Sequence, residues 1–112
     1  MTTARDRLKS VHKPVALPAV EDLRSLFEAI LTLKTQVECE KFFTDLCTPG
    51  ELLAIADRWK VVRLIDQGMP YREIYEKTGV STATITRVAR ALFLGESGYR
   101  NALDRAKSKR KS

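Results

Sequence analysis

The stretch from Pro70 to Leu94, PYREIYEKTGVSTATITRVARALFL, constrains the fold more than any other part of the chain. It predicts two short helices joined by a tight turn. The first helix is expected to end near Lys77, with Pro70 at its first position, where a missing N–H costs nothing. Gly79 supplies the left-handed residue that ends this helix. Ser81 is then placed to cap a second helix that begins at about Thr82.

Apolar residues of this stretch fall where a helix-turn-helix needs side chains that lock its two helices together. They are Ile74, Val80, Ile85 and Val88. The remaining positions of the second helix are small, polar or basic, with no acidic residue as far as Leu94: Thr82, Ala83, Thr84, Thr86, Arg87 and Arg90. Such groups at the start of a helix can enter a major groove and contact base edges. The pattern favours a DNA-binding helix-turn-helix over a plain helical hairpin in a small bundle.

One residue departs from this pattern. Tyr75 stands where helix-turn-helix units usually keep a small residue for close helix approach. We therefore expect either a wider crossing of the two helices or a ring that turns to the side.

The net charge of +6 is unevenly distributed along the chain. Residues 1–20 carry +3, residues 21–57 carry −5, residues 58–100 carry +4 and residues 101–112 carry +4. Basic charge thus accompanies the helix-turn-helix and both termini. This asymmetry suits a protein that turns one face to a polyanion, although a merely solvated surface would tolerate it too.

Helical periodicity and capping signals predict that the rest of the chain is also all-α. We expect a basic flexible arm over residues 1–18, one helical domain over residues 19–107, and a basic tail over residues 108–112. Within the domain, the expected helices run from Val20 to Leu33, from the Thr35–Glu38 capping box to Leu46, from Thr48–Pro49–Gly50–Glu51 to Asp66, and from Tyr99 to Lys107. The basic run KSKRKS that begins at Lys107 is either a set of phosphate contacts or a solvated tail.

Apolar residues cover much of the circumference of the third helix, Leu52 to Ile65. A helix that is apolar on so many sides is usually buried from several directions. In a chain of 112 residues, that points to a second subunit.

The composition disfavours catalysis, metal binding and membrane insertion. Cys39 and Cys47 are expected to be buried or half-buried free thiols in a reducing cytoplasm, because their spacing fits neither a disulfide framework nor a zinc site. The single histidine, His12, lies in the predicted arm, and no catalytic constellation or glycine-rich phosphate loop is present. No apolar run approaches the ~20 residues that span a bilayer. We therefore expect no enzyme activity and no metal site.

The most informative half of the chain, from about Leu46 to Leu92, resembles the Trp repressor superfamily. The likeness rests on Leu46-x-Thr48-Pro49-x-Glu51, on Arg58 ten residues after Thr48, and on the ATITR run from Ala83 to Arg87. Within the superfamily, the chain most resembles the small stand-alone YerC/YecD group.

This resemblance implies an all-α, intertwined homodimer that regulates transcription from a palindromic operator, in the cytoplasm and associated with the nucleoid. The residues that match DNA-contacting positions of the family are Arg72, Thr82, Ala83, Thr84 and Thr86. We add Lys77 and Arg90 as DNA-binding candidates because of their charge and expected exposure.

The resemblance also implies a ligand pocket, at Thr48, Arg58 and Arg87, where the tryptophan sensor of the family holds its corepressor. Two positions depart from that sensor: Val88 replaces a glycine that leaves room for an indole, and Ala91 replaces a serine that binds the amino group. We therefore expect that tryptophan is not the corepressor. The sequence does not identify any other small-molecule corepressor, and we expect no cofactor. Arg58 and Arg87 then hold another small anion, or pair with Asp57 or Asp66 as structural groups.

Two other interpretations stay open at the level of sequence. One is a protein-interaction module that uses the apolar third helix and has lost DNA binding. The other is a nucleic-acid-binding protein that contacts only the backbone, without sequence preference.

Overall fold

A computed structural model describes residues 19–111, and side chains as far as residue 109. The predicted arm, residues 1–18, lies outside the described residues. Between residues 19 and 111 the protein is all-helical, as predicted. Its helices are α1 Val20–Leu31, α2 Gln36–Leu46, α3 Pro49–Asp66, α4 Tyr71–Thr78, α5 Thr82–Leu94 and α6 Gly98–Lys111.

The described residues divide into two compact units between Phe42 and Phe43, a boundary that lies inside α2. In the first unit, α1 ends two residues earlier than the sequence predicts, because the Thr32 hydroxyl donates to the Ala29 carbonyl (2.6 Å) and the helix stops there. Neither α1 nor α2 has a buried residue. Leu31 is 83% exposed, and Phe27 and Val37 are also exposed. The amphipathic stripe that the sequence shows is therefore uncovered within this unit.

Side-chain caps set the starts of α2 and α3. Thr48 and Glu51 form the predicted capping box: the Glu51 N–H donates to the Thr48 hydroxyl (3.1 Å), and the Thr48 N–H donates to the Glu51 carboxylate (2.8 Å). The N–H of Thr48 lowers the pKa of Glu51, since it binds the ionised carboxylate. At α2 the Glu38 N–H donates to the Thr35 hydroxyl, but the Glu38 carboxylate accepts from the Lys34 N–H instead of the Thr35 N–H.

The core of the second unit joins α3, α4, α5 and α6. Its buried members are Val61, Val62, Leu64, Ile65, Ile74, Val80, Ile85, Val88, Ala89, Leu92 and Leu103. All the α3 residues in this core belong to the C-terminal half of the helix. In the N-terminal half, Leu53 is 63% exposed and Ile55 is also exposed. The expectation that α3 is covered from several directions therefore holds only for its second half within one chain.

Glycine ends α3 at the predicted position. Gly68 has φ 85°, its N–H donates to the Ile65 carbonyl (2.9 Å), and the Met69 N–H donates to the Leu64 carbonyl (3.1 Å). These two bonds form a Schellman motif, which satisfies carbonyls at the end of the helix. The chain then turns sharply towards α4.

A partly exposed ion-pair network joins the end of α3 to α6. The Asp66 carboxylate accepts from Lys107 Nζ (2.6 Å) and from Arg100 Nη1 (3.0 Å), and the Asp66 side chain is only 11% exposed. Lys107 first, and Arg100 second, lower the pKa of Asp66 by binding its ionised form. One alternative is corrected here: Asp66 pairs with Lys107 and Arg100, and not with Arg58 or Arg87. Lys107, the last residue of the predicted helix and the first of the basic run, is part of this network.

The last helix is longer than the sequence predicts, running from Gly98 to Lys111 where we expected Tyr99 to Lys107. Lysine and arginine are good helix formers, so the basic run continues the helix.

Cys39 is exposed and Cys47 is half-buried, and both are free thiols. The expectation of burial was therefore wrong for Cys39.

Candidate nucleic-acid interface

Helices α4 and α5 and the turn between them form the predicted helix-turn-helix. Gly79 has φ 74°, and its N–H donates to the Tyr75 carbonyl (2.8 Å), which ends α4 as expected. Ser81 caps α5: its hydroxyl accepts from the Thr84 N–H (3.1 Å). Pro70 is one position further out than predicted, since it is the N-cap of α4 and Tyr71 is the first helical residue.

Thr78 contributes to this turn in a way the sequence analysis missed. Its hydroxyl donates to the Ile74 carbonyl (2.7 Å) and accepts from the Val80 N–H (3.1 Å). The Thr78 side chain thus provides an acceptor for the Val80 N–H, which neither helix can satisfy. The signal that could have revealed it is a threonine immediately before the glycine that ends the helix.

The interior of the helix-turn-helix is closely packed. Ile74 and Ile85 are fully buried, and Val80 and Val88 are buried as predicted. Tyr75 is 48% exposed, so its ring lies to the side, which is the second of the two arrangements expected for it. Since α4 and α5 also pack on α3, the orientation of the outer face of α5 is fixed by the core.

That outer face carries most of the predicted DNA-binding residues. Thr82, Ala83, Thr86, Arg87 and Arg90 are exposed, and Thr84 is half-buried. No acidic residue occurs between Thr82 and Leu94. The N-terminal N–H groups of α5 add partial positive charge to this face. The surface therefore offers hydroxyl and guanidinium donors to an acceptor-rich, negatively charged ligand.

The candidates on α4 are also exposed. Arg72 has a side chain that is 91% exposed and makes one local ion pair, in which Nε lies 3.4 Å from the Glu76 carboxylate. Ion pairs of this exposure contribute little to stability, so Arg72 can leave Glu76 for another partner. Lys77 lies one turn further along the helix and is exposed.

Two of the three residues of the implied ligand pocket, Thr48 and Arg58, lie far apart within one chain. Thr48 caps α3, and Arg58 follows it by ten residues on the same helix, which places their Cα atoms about 15 Å apart. Arg87 belongs to α5 and is exposed. Val88 is 2% exposed and is part of the core.

The described residues hold no group of His, Cys, Asp and Glu side chains that could bind a metal ion. None of the helices between residues 19 and 111 is both long and apolar enough to span a membrane.

Comparison with known proteins places this architecture in a family. Residues 21–107 match the model of the Trp repressor protein family. The YerC protein of Bacillus subtilis is 47% identical over 87 residues, which cover 78% of this chain and 84% of YerC. A Trp operon repressor homolog of Chlamydia trachomatis is 41% identical over 71 residues, covering 59% of this chain and 76% of the homolog.

The fold is similar as well. The crystal structure of a TrpR-like protein from Eubacterium eligens matches with a TM-score of 0.75 and 40% identity, covering 80% of this chain and 92% of that one. The fold and the exposed face of α5 define a helix-turn-helix protein. The chain belongs to the Trp repressor family, which consists of DNA-binding regulators, and within it to the YerC group, as the sequence predicted.

Proposed function

We propose that this protein is a sequence-specific DNA-binding transcriptional regulator of the repressor type. The observation that carries the proposal is the outer face of α5. Its hydroxyl, methyl and guanidinium groups are exposed without any acidic neighbour on the helix, and a buried core fixes the helix that bears them. The chain is expected to work in the cytoplasm, associated with the nucleoid.

Two kinds of contact would divide the work. Exposed basic groups on α4 and α6 would bind phosphates and supply salt-sensitive affinity. Thr82, Ala83, Thr84 and Thr86 on α5, with Arg90, would approach the bases or their adjacent phosphates. Arg72 would contact a base edge, and a bidentate arginine–guanine contact discriminates by about 1–3 kcal/mol.

The uncovered apolar surface supports a homodimer. Leu31, Phe27 and Val37 of the first unit and Leu53 and Ile55 of the second are exposed, and monomeric proteins seldom leave so much apolar surface in water. Two copies would present two α5 helices to half-sites about one helical turn apart on a palindromic operator. Sedimentation analysis is expected to give twice the chain mass of 12.7 kDa, and a single 12.7 kDa species would contradict the dimer.

Tryptophan does not fit as the corepressor. Val88 fills its position with a buried side chain, and Ala91 has no hydroxyl for a ligand amino group. Thr48 would reach a pocket at Arg58 only from a second copy, since the two lie about 15 Å apart along one helix. Titration calorimetry with millimolar tryptophan is expected to show no binding, and a one-site isotherm would overturn this part of the proposal.

The test of the proposed function compares two variants that each remove one exposed positive charge. Arg72→Ala is expected to lower affinity for a selected DNA site by about 5- to 150-fold while barely changing affinity for random DNA. Arg105→Ala, on α6, is expected to weaken both by the same small factor. The measurement is fluorescence anisotropy with both DNAs at several salt concentrations.

Equal losses of affinity on both DNAs for Arg72→Ala would contradict base readout.

The exposed apolar half of α3 also fits the rival function, a protein-interaction module without DNA binding. Salt separates the two functions, because DNA affinity falls steeply with salt whereas an apolar interface responds weakly.

A further inference from the structure

Two hydroxyl groups at the start of α5 form a hydrogen-bonded pair. The Ser81 hydroxyl accepts from the Thr84 N–H (3.1 Å) and donates to the Thr84 hydroxyl oxygen (3.0 Å). The first bond is the cap that starts the helix. The second has no part in capping and uses the one proton of the Ser81 hydroxyl.

This second bond leaves one hydroxyl proton of the pair available for another acceptor. Each hydroxyl has one proton to donate and two lone pairs, and the proton of Ser81 is committed to Thr84. Among the described residues, no protein acceptor takes the proton of the Thr84 hydroxyl. Accepting a hydrogen bond polarises a hydroxyl and makes it a better donor. Thr84 is therefore presented as a donor.

The surroundings favour an external acceptor over a protein one. Thr84 is half-buried on the first turn of α5, close in sequence to exposed Thr82 and Ala83 and about one turn before the exposed basic residue Arg87. The unpaired N–H groups of this turn also point towards incoming acceptors.

We propose that Ser81 is a positioning residue for DNA recognition: it holds the Thr84 hydroxyl as a hydrogen-bond donor to an acceptor atom of DNA. This inference rests on the proposed function and adds a residue to it, because Ser81 itself need not contact DNA. The acceptor is either a phosphate oxygen or a base-edge atom such as guanine O6 or N7. Both have the same hydrogen-bonding chemistry, and the test below distinguishes them.

The test is a double-mutant cycle on DNA affinity with Ser81→Gly, Thr84→Val and the double variant. Glycine keeps most of the capping preference while removing the hydroxyl, and valine keeps the shape of threonine without its hydroxyl. Thr84→Val is expected to lose about fivefold in affinity, the value of one ordinary hydrogen bond. Ser81→Gly is expected to lose about threefold to fivefold when Thr84 is present. It should lose nothing further in the Thr84→Val background.

Ser81→Thr, which keeps the hydroxyl, is expected to bind DNA as tightly as the natural protein does. Thr35→Gly serves as the capping control, because it removes the equivalent cap of α2 and changes no residue of α5. It is expected to lower the melting temperature as much as Ser81→Gly does and to leave DNA affinity unchanged. A merely structural role of Ser81 would give the same loss of affinity whether or not the Thr84→Val change is also present, and that result would overturn the proposal.

The choice of DNA identifies the acceptor. If the losses of affinity depend on one base pair of the selected site and vanish when that base pair is changed, the acceptor is a base-edge atom. If they are equal on selected and random DNA, it is a phosphate. Either outcome supports the positioning role. If the natural protein binds no DNA at all, the proposed function fails and this inference fails with it. If it binds selectively and Ser81→Gly binds equally well, only the inference fails.

Discussion

Replacing Asp66 by asparagine tests the network that joins α3 to α6. In the native protein the carboxylate binds Lys107 and Arg100 at 2.6 and 3.0 Å. Hydrogen bonds to charged groups contribute about 1.5–3 kcal/mol each when well shielded. The side chains of Arg100 and Lys107 are 40% and 56% exposed, so water replaces much of what they lose. We expect Asp66→Asn to lower the free energy of unfolding by about 1–3 kcal/mol.

The pH dependence of this loss follows from the direction of the pKa shift. Asp66 has a lowered pKa in the folded protein, compared with an ordinary value of 3.8. A carboxylate whose pKa is depressed on folding contributes its full stability above the unfolded pKa and loses it as the pH falls through the folded pKa. The difference between the natural protein and Asp66→Asn should therefore be constant above about pH 5. It should shrink as the pH falls below 3.8.

Urea unfolding at a fixed protein concentration, followed by the fluorescence of Trp59, measures this difference. Trp59 is the single tryptophan and packs against the core. Asp104→Asn is the matched control, because Asp104 is 61% exposed and lies 3.9 Å from Arg100. It is expected to cost less than about 0.5 kcal/mol. Equal costs for the two variants, or a cost at Asp66 that does not change in acid, would refute the reasoning.

The remaining predictions concern the turn after α5 and the negative charge of Glu76 on α4. Gly95→Ala should destabilise the protein by about 1–3 kcal/mol, because its Cβ would strike the backbone of the preceding turn. Gly98→Ala, whose Cβ meets nothing within 4 Å, should be nearly neutral in the same urea titration. Ser97→Gly should stabilise by about 1 kcal/mol, since Ser97 has φ 71°; no rise in melting temperature would contradict this. Glu76→Gln should raise the affinity for DNA, measured by fluorescence anisotropy, because it frees Arg72 and removes a negative charge. An unchanged affinity would contradict this prediction.

Local signals made most of the helix boundaries predictable. The capping box of Thr48 and Glu51, the left-handed Gly79 and the cap at Ser81 each depend on residues within four positions of one another. The helix-turn-helix interior was predictable for the same reason, because Ile74 and Ile85 follow helical spacing. Short-range chemistry of this kind is visible in a sequence without knowledge of the fold.

Contacts between distant parts of the chain were not predictable. Asp66 and Arg100 are 34 residues apart, and nothing in either neighbourhood marks the other as its partner. From the sequence, Asp66 was therefore only one of two possible partners for Arg58 and Arg87, and its pairing with Arg100 and Lys107 was not expected. The hydroxyl pair of Ser81 and Thr84 was missed for a different reason: the spacing reveals the cap, but only the folded structure shows that the two hydroxyl oxygens lie 3.0 Å apart.

The central claim is that the protein reads a specific DNA sequence without tryptophan. The most direct measurement is to incubate the purified full chain, without added ligand, with sheared genomic DNA at near-physiological salt and to sequence the retained fragments. We expect the retained fragments to share a two-fold symmetric motif with half-sites about one helical turn apart. Uniform recovery of all fragments would contradict it.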